Sequence, residues 1–517
     1  MRCMSVSTAT ATVWLDGESL RVEDVLAVAR EGAQVRLAPG AYERVECSHA
    51  LNRDLVARGE PIYGVTTGFG DSVGRRIDPA RADSLQAHLL DFLGCGTGPT
   101  LDAAYARAVT LARANCLARG CSAVRPIVIE RLCDVLNAGA APVIPEQGSI
   151  GASGDLVPSS YVAAVLTGRR TLIVEGEVTP ASRFWRQRGV EPLALEAKEG
   201  LALVNGTAFM VGIGCLAVAD ARRLAAVADT CTAMTVEGLR GIDGPFHEFI
   251  HAVKPHPGQQ RSAASIRAGL AGSGLTRTYA EAAGEAMPIQ DKYSIRCAPQ
   301  CIGALYDTAD WVERWLVTEL NSANDNPLYD AGAGAVHSGG NFSGFHVGLA
   351  MDTLKTAVAS VVDLLDRQME LLVDEKFSNG LTPNLAAPAD GPDAGLDHGF
   401  KGMQIAMSSL AAEALNRTMP MTSFSRSAEC HNQDKVSMGA TAARQARDVL
   451  DIAERAAAIH LLAACQAADL RGASRLGATA AVHRRVREVS PPLEHDRPMD
   501  VDVAAVTDLI RCGKLMG

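Results

Sequence analysis

The segment Gly148-Ser149-Ile150-Gly151-Ala152-Ser153-Gly154-Asp155-Leu156 carries the chemistry most open to reading in this sequence. Its centre is crowded with small residues. One account is a tight turn or close backbone packing, where only small side chains fit. A second account is covalent: if the backbone bends so that the Gly154 nitrogen meets the Ala152 carbonyl carbon, ring closure and loss of water yield an imidazolone, with Ser153 as its exocyclic methylene. Glycine is needed at 154 because only an unhindered nitrogen can attack. The product, 4-methylidene-imidazole-5-one (MIO), is an electrophile that no coded side chain provides. Asp155 either holds this loop or caps a helix that follows it.

The triad does not stand alone. Five further segments recur at separated positions: Tyr63-Gly64-Val65-Thr66-Thr67-Gly68-Phe69-Gly70, Gly200-Leu201-Ala202-Leu203-Val204-Asn205-Gly206-Thr207, Tyr293-Ser294-Ile295-Arg296-Cys297-Ala298-Pro299-Gln300, Asn321-Ser322-Ala323-Asn324-Asp325-Asn326-Pro327 and His431-Asn432-Gln433-Asp434. In this order, from about Ile62 to Asp496, the chain resembles the aromatic amino acid ammonia-lyase family, which includes phenylalanine, tyrosine and histidine ammonia-lyases and related aminomutases.

The resemblance implies an MIO made from Ala152, Ser153 and Gly154, with no metal and no external cofactor. It implies Tyr63 as the base that takes the β-proton. A free phenol has a pKa of roughly 10, so neighbours must lower it for work near neutrality, and an alkaline optimum is expected. Arg296 would grip the substrate carboxylate through two guanidinium contacts. Asn205, Gln290, Tyr293 and Gln433 would hydrogen-bond the cyclised triad or the substrate backbone, and Phe342 would line the pocket. Lys401, in Gly399-Phe400-Lys401-Gly402, would lie near the aryl group, and Glu429 near the amine. Read without the resemblance, each of these polar residues is equally an ordinary buried or ion-paired group.

The chemistry explains the need for such residues. A β-hydrogen of an amino acid is very weakly acidic and ammonia is a reluctant leaving group, so an enzyme must activate at least one of them. Selectivity is written where the ring sits. Family members with Phe-Leu at the positions of Phe92 and Leu93 resemble phenylalanine lyases, those with His-Leu tyrosine lyases and those with Ser-His histidine lyases. Neither Phe92 nor Leu93 offers a donor to a phenol or an imidazole. The expected reaction is therefore that of a phenylalanine ammonia-lyase giving trans-cinnamate. The alternatives are an aminomutase, a tyrosine or histidine ammonia-lyase, a lyase releasing trimethylamine from a betaine such as ergothioneine, and a non-catalytic scaffold that keeps the fold.

The elements that must hold these residues are mostly helices. From Val22 to about Asn205 short apolar segments alternate with Gly and Pro punctuators, as in Gly94–Pro99 and Pro145–Gly154. Beyond about Ala208 apolar residues recur at helical spacing over Val211–Leu239, Pro299–Glu319, Phe345–Leu372, Gln404–Ala414 and Ala440–Leu470. Thr171–Val178 reads as a small strand region and Ala386–Gly395 as a surface loop. The resulting expectation is a mainly α fold: a loop-rich N-terminal domain, 1–207, carrying triad and base, followed by a long-helix bundle of the fumarase/aspartase-like type, 208–517. Apolar residues on more than one face of Val449–Leu470 predict packing against a second copy, hence a homotetramer whose active sites mix subunits.

Composition narrows the partner. The chain has 517 residues and a net charge of -10, with no block of Lys and Arg, so nucleic acid is not expected and a small-molecule aromatic amino acid is. Thirteen cysteines without a paired framework predict reduced, mostly buried thiols. Met1–Gly17 lacks the pattern of a signal sequence, and no apolar run of membrane-spanning length follows, so a cytoplasmic protein that does not enter the membrane is expected.

Overall fold

The computed structural model describes residues 12–285, 288–387 and 395–515. The chain is mainly helical. The helices expected from apolar spacing are observed at Ala208–Gly238, Ala298–Leu320, Phe345–Val373, Lys401–Asn416 and Gly439–Arg471. Most of the loop expected at Ala386–Gly395, and residues 1–11 of the N-terminal segment, lie outside the described residues. Among those described, no helix is long and apolar enough to cross a membrane.

The chain divides into two compact units, each assembled from separated stretches. The first comprises Met1–Ala217, Val312–Asp352 and Pro420–Gln445; the second comprises Val218–Trp311, Thr353–Met419 and Ala446–Gly517. A single cut near 207 does not reproduce this division, because later segments rejoin the first unit.

In the first unit, Gly- and Pro-rich loops connect helices at Pro39–Ala57, Ala82–Phe92, Ala103–Ala118, Pro126–Asn137, Leu156–Leu166 and Glu199–Val204. Its strands are short. Val13–Leu15 pairs in parallel with Val35–Leu37, and the expected strand region is an antiparallel hairpin, Thr171–Val174 with Glu177–Pro180, extended by Ala141–Pro142. The helix Ala103–Ala118 forms much of the core: the thirteen residues Ala106 to Ala118 are buried apart from Arg107. Its alanines and leucines allow close approach on every side.

The second unit contains the helices Pro257–Gly269, Lys401–Asn416, Ala480–Val489 and Asp500–Arg511, together with parts of the long helices. Every residue from Ala456 to Ala468 is buried. The second apolar face, expected to reach a neighbouring copy, is thus covered within the chain itself.

The twelve described cysteines are free thiols, but only five of them are buried and five are exposed. The expectation of mostly buried thiols does not hold.

Candidate active site

A cavity of about 530 Å³ opens in the first unit, and the triad forms part of its wall. Ala152, Ser153 and Gly154 are held by Asn205-Gly206. The Gly206 amide donates to the Ser153 carbonyl at 3.1 Å, and the Asp155 amide donates to the Gly206 carbonyl at 2.7 Å. Asn205 Nδ2 adds a bond to the same Ser153 carbonyl at 2.7 Å, and Gln433 Nε2 donates to Ser153 Oγ at 3.3 Å.

Gly154 sits at φ +70°, and a Cβ placed on it would lie 2.1 Å from the Gly206 carbonyl oxygen. Only glycine fits, for both conformational and steric reasons. Its own N–H has no hydrogen-bond partner among the described residues. Both properties suit a nitrogen that must be free to attack the Ala152 carbonyl. The buried Asn205 Oδ1 is also without a partner.

Asp155 precedes the helix Leu156–Leu166 but makes no side-chain cap to it. It serves two other elements. Its Oδ2 accepts from the Met210 amide at 2.9 Å, in the first turn of Ala208–Gly238, and its Oδ1 accepts from Ser149 Oγ at 3.0 Å. It therefore both holds the loop and caps a different helix. Burial pushes its carboxyl pKa up to about 7, although the Met210, Ser149 and Arg113 groups act in the opposite direction.

Tyr63 lines the same cavity, and its Oη accepts the Gly70 amide at 2.9 Å. The next amide, that of Asp71, donates to Glu429 Oε1 at 3.1 Å, while Asn432 Nδ2 donates to Oε2 at 2.8 Å. Gly70 has φ +52°, and an added Cβ would overlap the Glu429 carboxylate at 1.6 Å. The expectation that neighbours lower the Tyr63 pKa is reversed: burial raises it, the Gly70 N–H opposes only in part, and the Glu429 charge adds to the rise.

Glu429, Cys430 and His431 occupy the left-handed region in succession, at φ +50°, +51° and +66°. Such a run costs non-glycine residues on the order of 1–2 kcal/mol each. The turn is closed by a bridge between Ala428 and Gln433, and it brings both Glu429 and Gln433 to the cavity wall.

The apolar residues lining the cavity are Phe69, Leu89, Phe92, Leu93, Leu201 and Phe342 among others. The Phe69 and Phe92 rings are 6.5 Å apart and tilted. Leu93 is buried, but Phe92 is 59% exposed. Gln290, Tyr293, Arg296 and Lys401 do not line this cavity. All four belong to the second unit, where Tyr293 is exposed and carries the Arg296 guanidinium 4.5 Å above its ring. Phe69 and Asn326 lie in segments the sequence singles out, though not as site residues. Lys435 and Val157 also line the cavity, and no sequence signal marks them.

The sequence model described as aromatic amino acid lyase matches residues 20–488. The chain belongs to the aromatic amino acid lyase family. It is 41% identical over 508 residues to a histidine ammonia-lyase of Gloeobacter violaceus, covering 98% of this chain and 97% of the relative. It is 39% identical over 534 residues to the MIO-dependent tyrosine 2,3-aminomutase of Streptomyces globisporus, covering 100% and 98%. The solved structure of tyrosine aminomutase from that organism superposes with a TM-score of 0.93 at 38% identity, covering 98% of each chain.

Membership makes the protein a carbon–nitrogen lyase of the ammonia-lyase type, dependent on MIO and acting on an aromatic amino acid. The expectation of a phenylalanine ammonia-lyase giving cinnamate is overturned, because relatives matched over nearly the whole chain are named for histidine and for tyrosine. Phe92 shows why the sequence misleads: a ring more than half exposed does not enclose a substrate, so the Phe92-Leu93 pair does not fix the ring by itself. The described residues include no group of side chains suited to a metal ion.

Proposed function

We propose that this carbon–nitrogen lyase takes an aromatic amino acid carrying a benzene ring and completes a 2,3-aminomutase reaction, in which the eliminated ammonia is returned to the β-carbon. One observation carries the ring assignment. The cavity wall includes Phe69 and the buried Leu89, Leu93 and Leu201, and an imidazole seated against these would lose its water without a replacement partner. Of the two kinds of relative, this favours the one named for tyrosine.

When formed, MIO supplies an electrophilic methylidene carbon that makes the substrate nitrogen easier to expel. The chain's own residues do the rest. Asn205 and Gly206 orient the triad through the Ser153 carbonyl. The Gly70 amide stabilises the phenolate form of Tyr63, which removes the β-proton and becomes the neutral phenol. Glu429 takes a proton from the substrate ammonium, so that nitrogen becomes nucleophilic, and returns it to the departing ammonia. Gln290, Tyr293, Arg296 and Lys401 come from a neighbouring copy in a homotetramer, where Arg296 grips the carboxylate.

A second reading, histidine ammonia-lyase, is favoured by the 41% identical relative and by the polar Glu429, Asn432 and Gln433 on the wall, which can meet an imidazole. Incubation with tyrosine, phenylalanine and histidine in turn, with products identified by mass and chromatography, separates the two. A β-amino acid from a benzene-ring substrate is expected. Imidazolyl-acrylate from histidine as the fastest product would overturn the proposal in favour of the second reading.

A further inference from the structure

Arg113 is an anomaly beneath the triad. Its side chain is 1% exposed, yet it forms no ion pair among the described residues. Nη1 donates to the Ala202 carbonyl at 3.2 Å and to Cys116 Sγ at 3.6 Å, while Nε and Nη2 are buried without partners. Nearby Asp325 is already engaged, with Lys198 Nζ 2.5 Å from its Oδ2 and Ser122 Oγ on its Oδ1. A guanidinium stays charged in proteins, and burying one without a carboxylate is costly. An arginine serving packing alone would be forked onto an acid.

Its position suggests what the charge does. Nη2 packs against Gly206, where a Cβ would come within 2.9 Å of it, and Gly206 is the residue that clasps Ser153, Gly154 and Asp155. The same charge acts on Asp155 and opposes the effect of its burial.

We propose that Arg113 is a positioning residue for MIO formation, its unpaired buried charge favouring the anionic character that builds up as the triad closes. In that closure the Gly154 nitrogen bonds to the Ala152 carbonyl carbon. The Ala152 oxygen leaves as water with the Gly154 and Ser153 amide protons, and a carbon–nitrogen double bond forms to Ser153. The Ser153 hydroxyl then leaves with its Cα proton as a second water, giving the methylidene. No oxidant is required. Negative charge develops on the Ala152 oxygen as the Gly154 nitrogen attacks, and a fixed cation behind Gly206 lowers that barrier with no reorganisation.

The test is the intact mass of the full chain, sampled over time after cell-free synthesis, for wild type, R113K and R113M. Melting temperature is measured alongside to establish folding. Wild type and R113K should lose two waters completely. R113M, similar in length but neutral, should fold and yet lose them roughly 10–100-fold more slowly. A purely structural role would not separate Lys from Met in this way. R113M that is folded and dehydrated at the wild-type rate overturns the proposal. If R113M does not fold, R113K decides: folded and dehydrated supports the role of charge, folded and unmodified removes it. The readout is independent of substrate, so failure here is distinct from failure of the aminomutase reading.

Discussion

Asn205 donates Nδ2 to the Ser153 carbonyl at 2.7 Å, and its own Oδ1 is buried with no partner. A side chain fixed at one end and unsatisfied at the other is prepared for a group not yet present. Asn205→Ala should lower kcat by roughly 10²–10³-fold, the cost of losing a preorganised donor at a site of developing charge. Its melting temperature should stay within a few degrees of wild type, since one hydrogen bond contributes about 1 kcal/mol. Steady-state kinetics and a thermal melt check both. A large fall in stability with unchanged kcat would assign Asn205 to scaffolding.

Ser153 accepts through its carbonyl from Asn205 and Gly206 and through its hydroxyl from Gln433. The carbonyl bonds survive Ser153→Ala, so the loop keeps its shape. The variant should fold and lose at most one water, because no hydroxyl remains to leave as the second. Activity should drop on the order of 10³-fold or more, since the reaction loses its electrophile. Intact mass together with product assay checks this. A fully active variant would detach the reaction from the triad.

For Tyr63 the sign of the pH effect follows from its surroundings. Burial and the Glu429 charge favour the neutral phenol, so the phenolate that acts as base becomes populated only as pH rises. The kcat/KM profile should climb on its alkaline side. Glu429→Gln removes one cause of the raised pKa, so that limb should move to lower pH, whatever happens to its height. Tyr63→Phe should cost about 10²–10⁴-fold, the usual scale of a positioned base. A profile flat between about pH 6 and 9 would rule out a titrating Tyr63.

The long helices were legible because apolar spacing is a local signal. Ala298–Leu320 begins and ends one residue beyond its expected limits. The triad was legible for a different reason: its small residues alone fit a tight turn equally well, and the other segments in the family's order singled it out. What the sequence hid was long-range. Local texture carries no information on which distant stretches return to one unit, so 312–352 and 420–445 could not be assigned beside the triad. The left-handed run at 429–431 was equally hidden, because neither Glu429 nor Cys430 favours that conformation and the surrounding fold imposes it. The cap at Asp155 is a similar case: its spacing pointed to the next helix, and tertiary contact gave it to another.

Phe92 offers the clearest handle on ring selectivity. Its ring lies 6.5 Å from that of Phe69 and is 59% exposed, so a polar replacement there costs little packing. Phe92→His would introduce a donor and acceptor on the aryl side of the cavity, where the present lining has neither. A phenol hydroxyl then regains part of the hydrogen bonding it loses on leaving water, whereas an unsubstituted ring gains nothing. The ratio of kcat/KM for tyrosine over phenylalanine should rise, by up to about tenfold, because a hydrogen bond in a half-exposed position competes with water and contributes near 1 kcal/mol. Competition between the two substrates in one vessel measures the ratio directly. An unchanged ratio would show that position 92 does not face the ring, and the assignment would then rest on buried Leu89, Leu93 and Leu201.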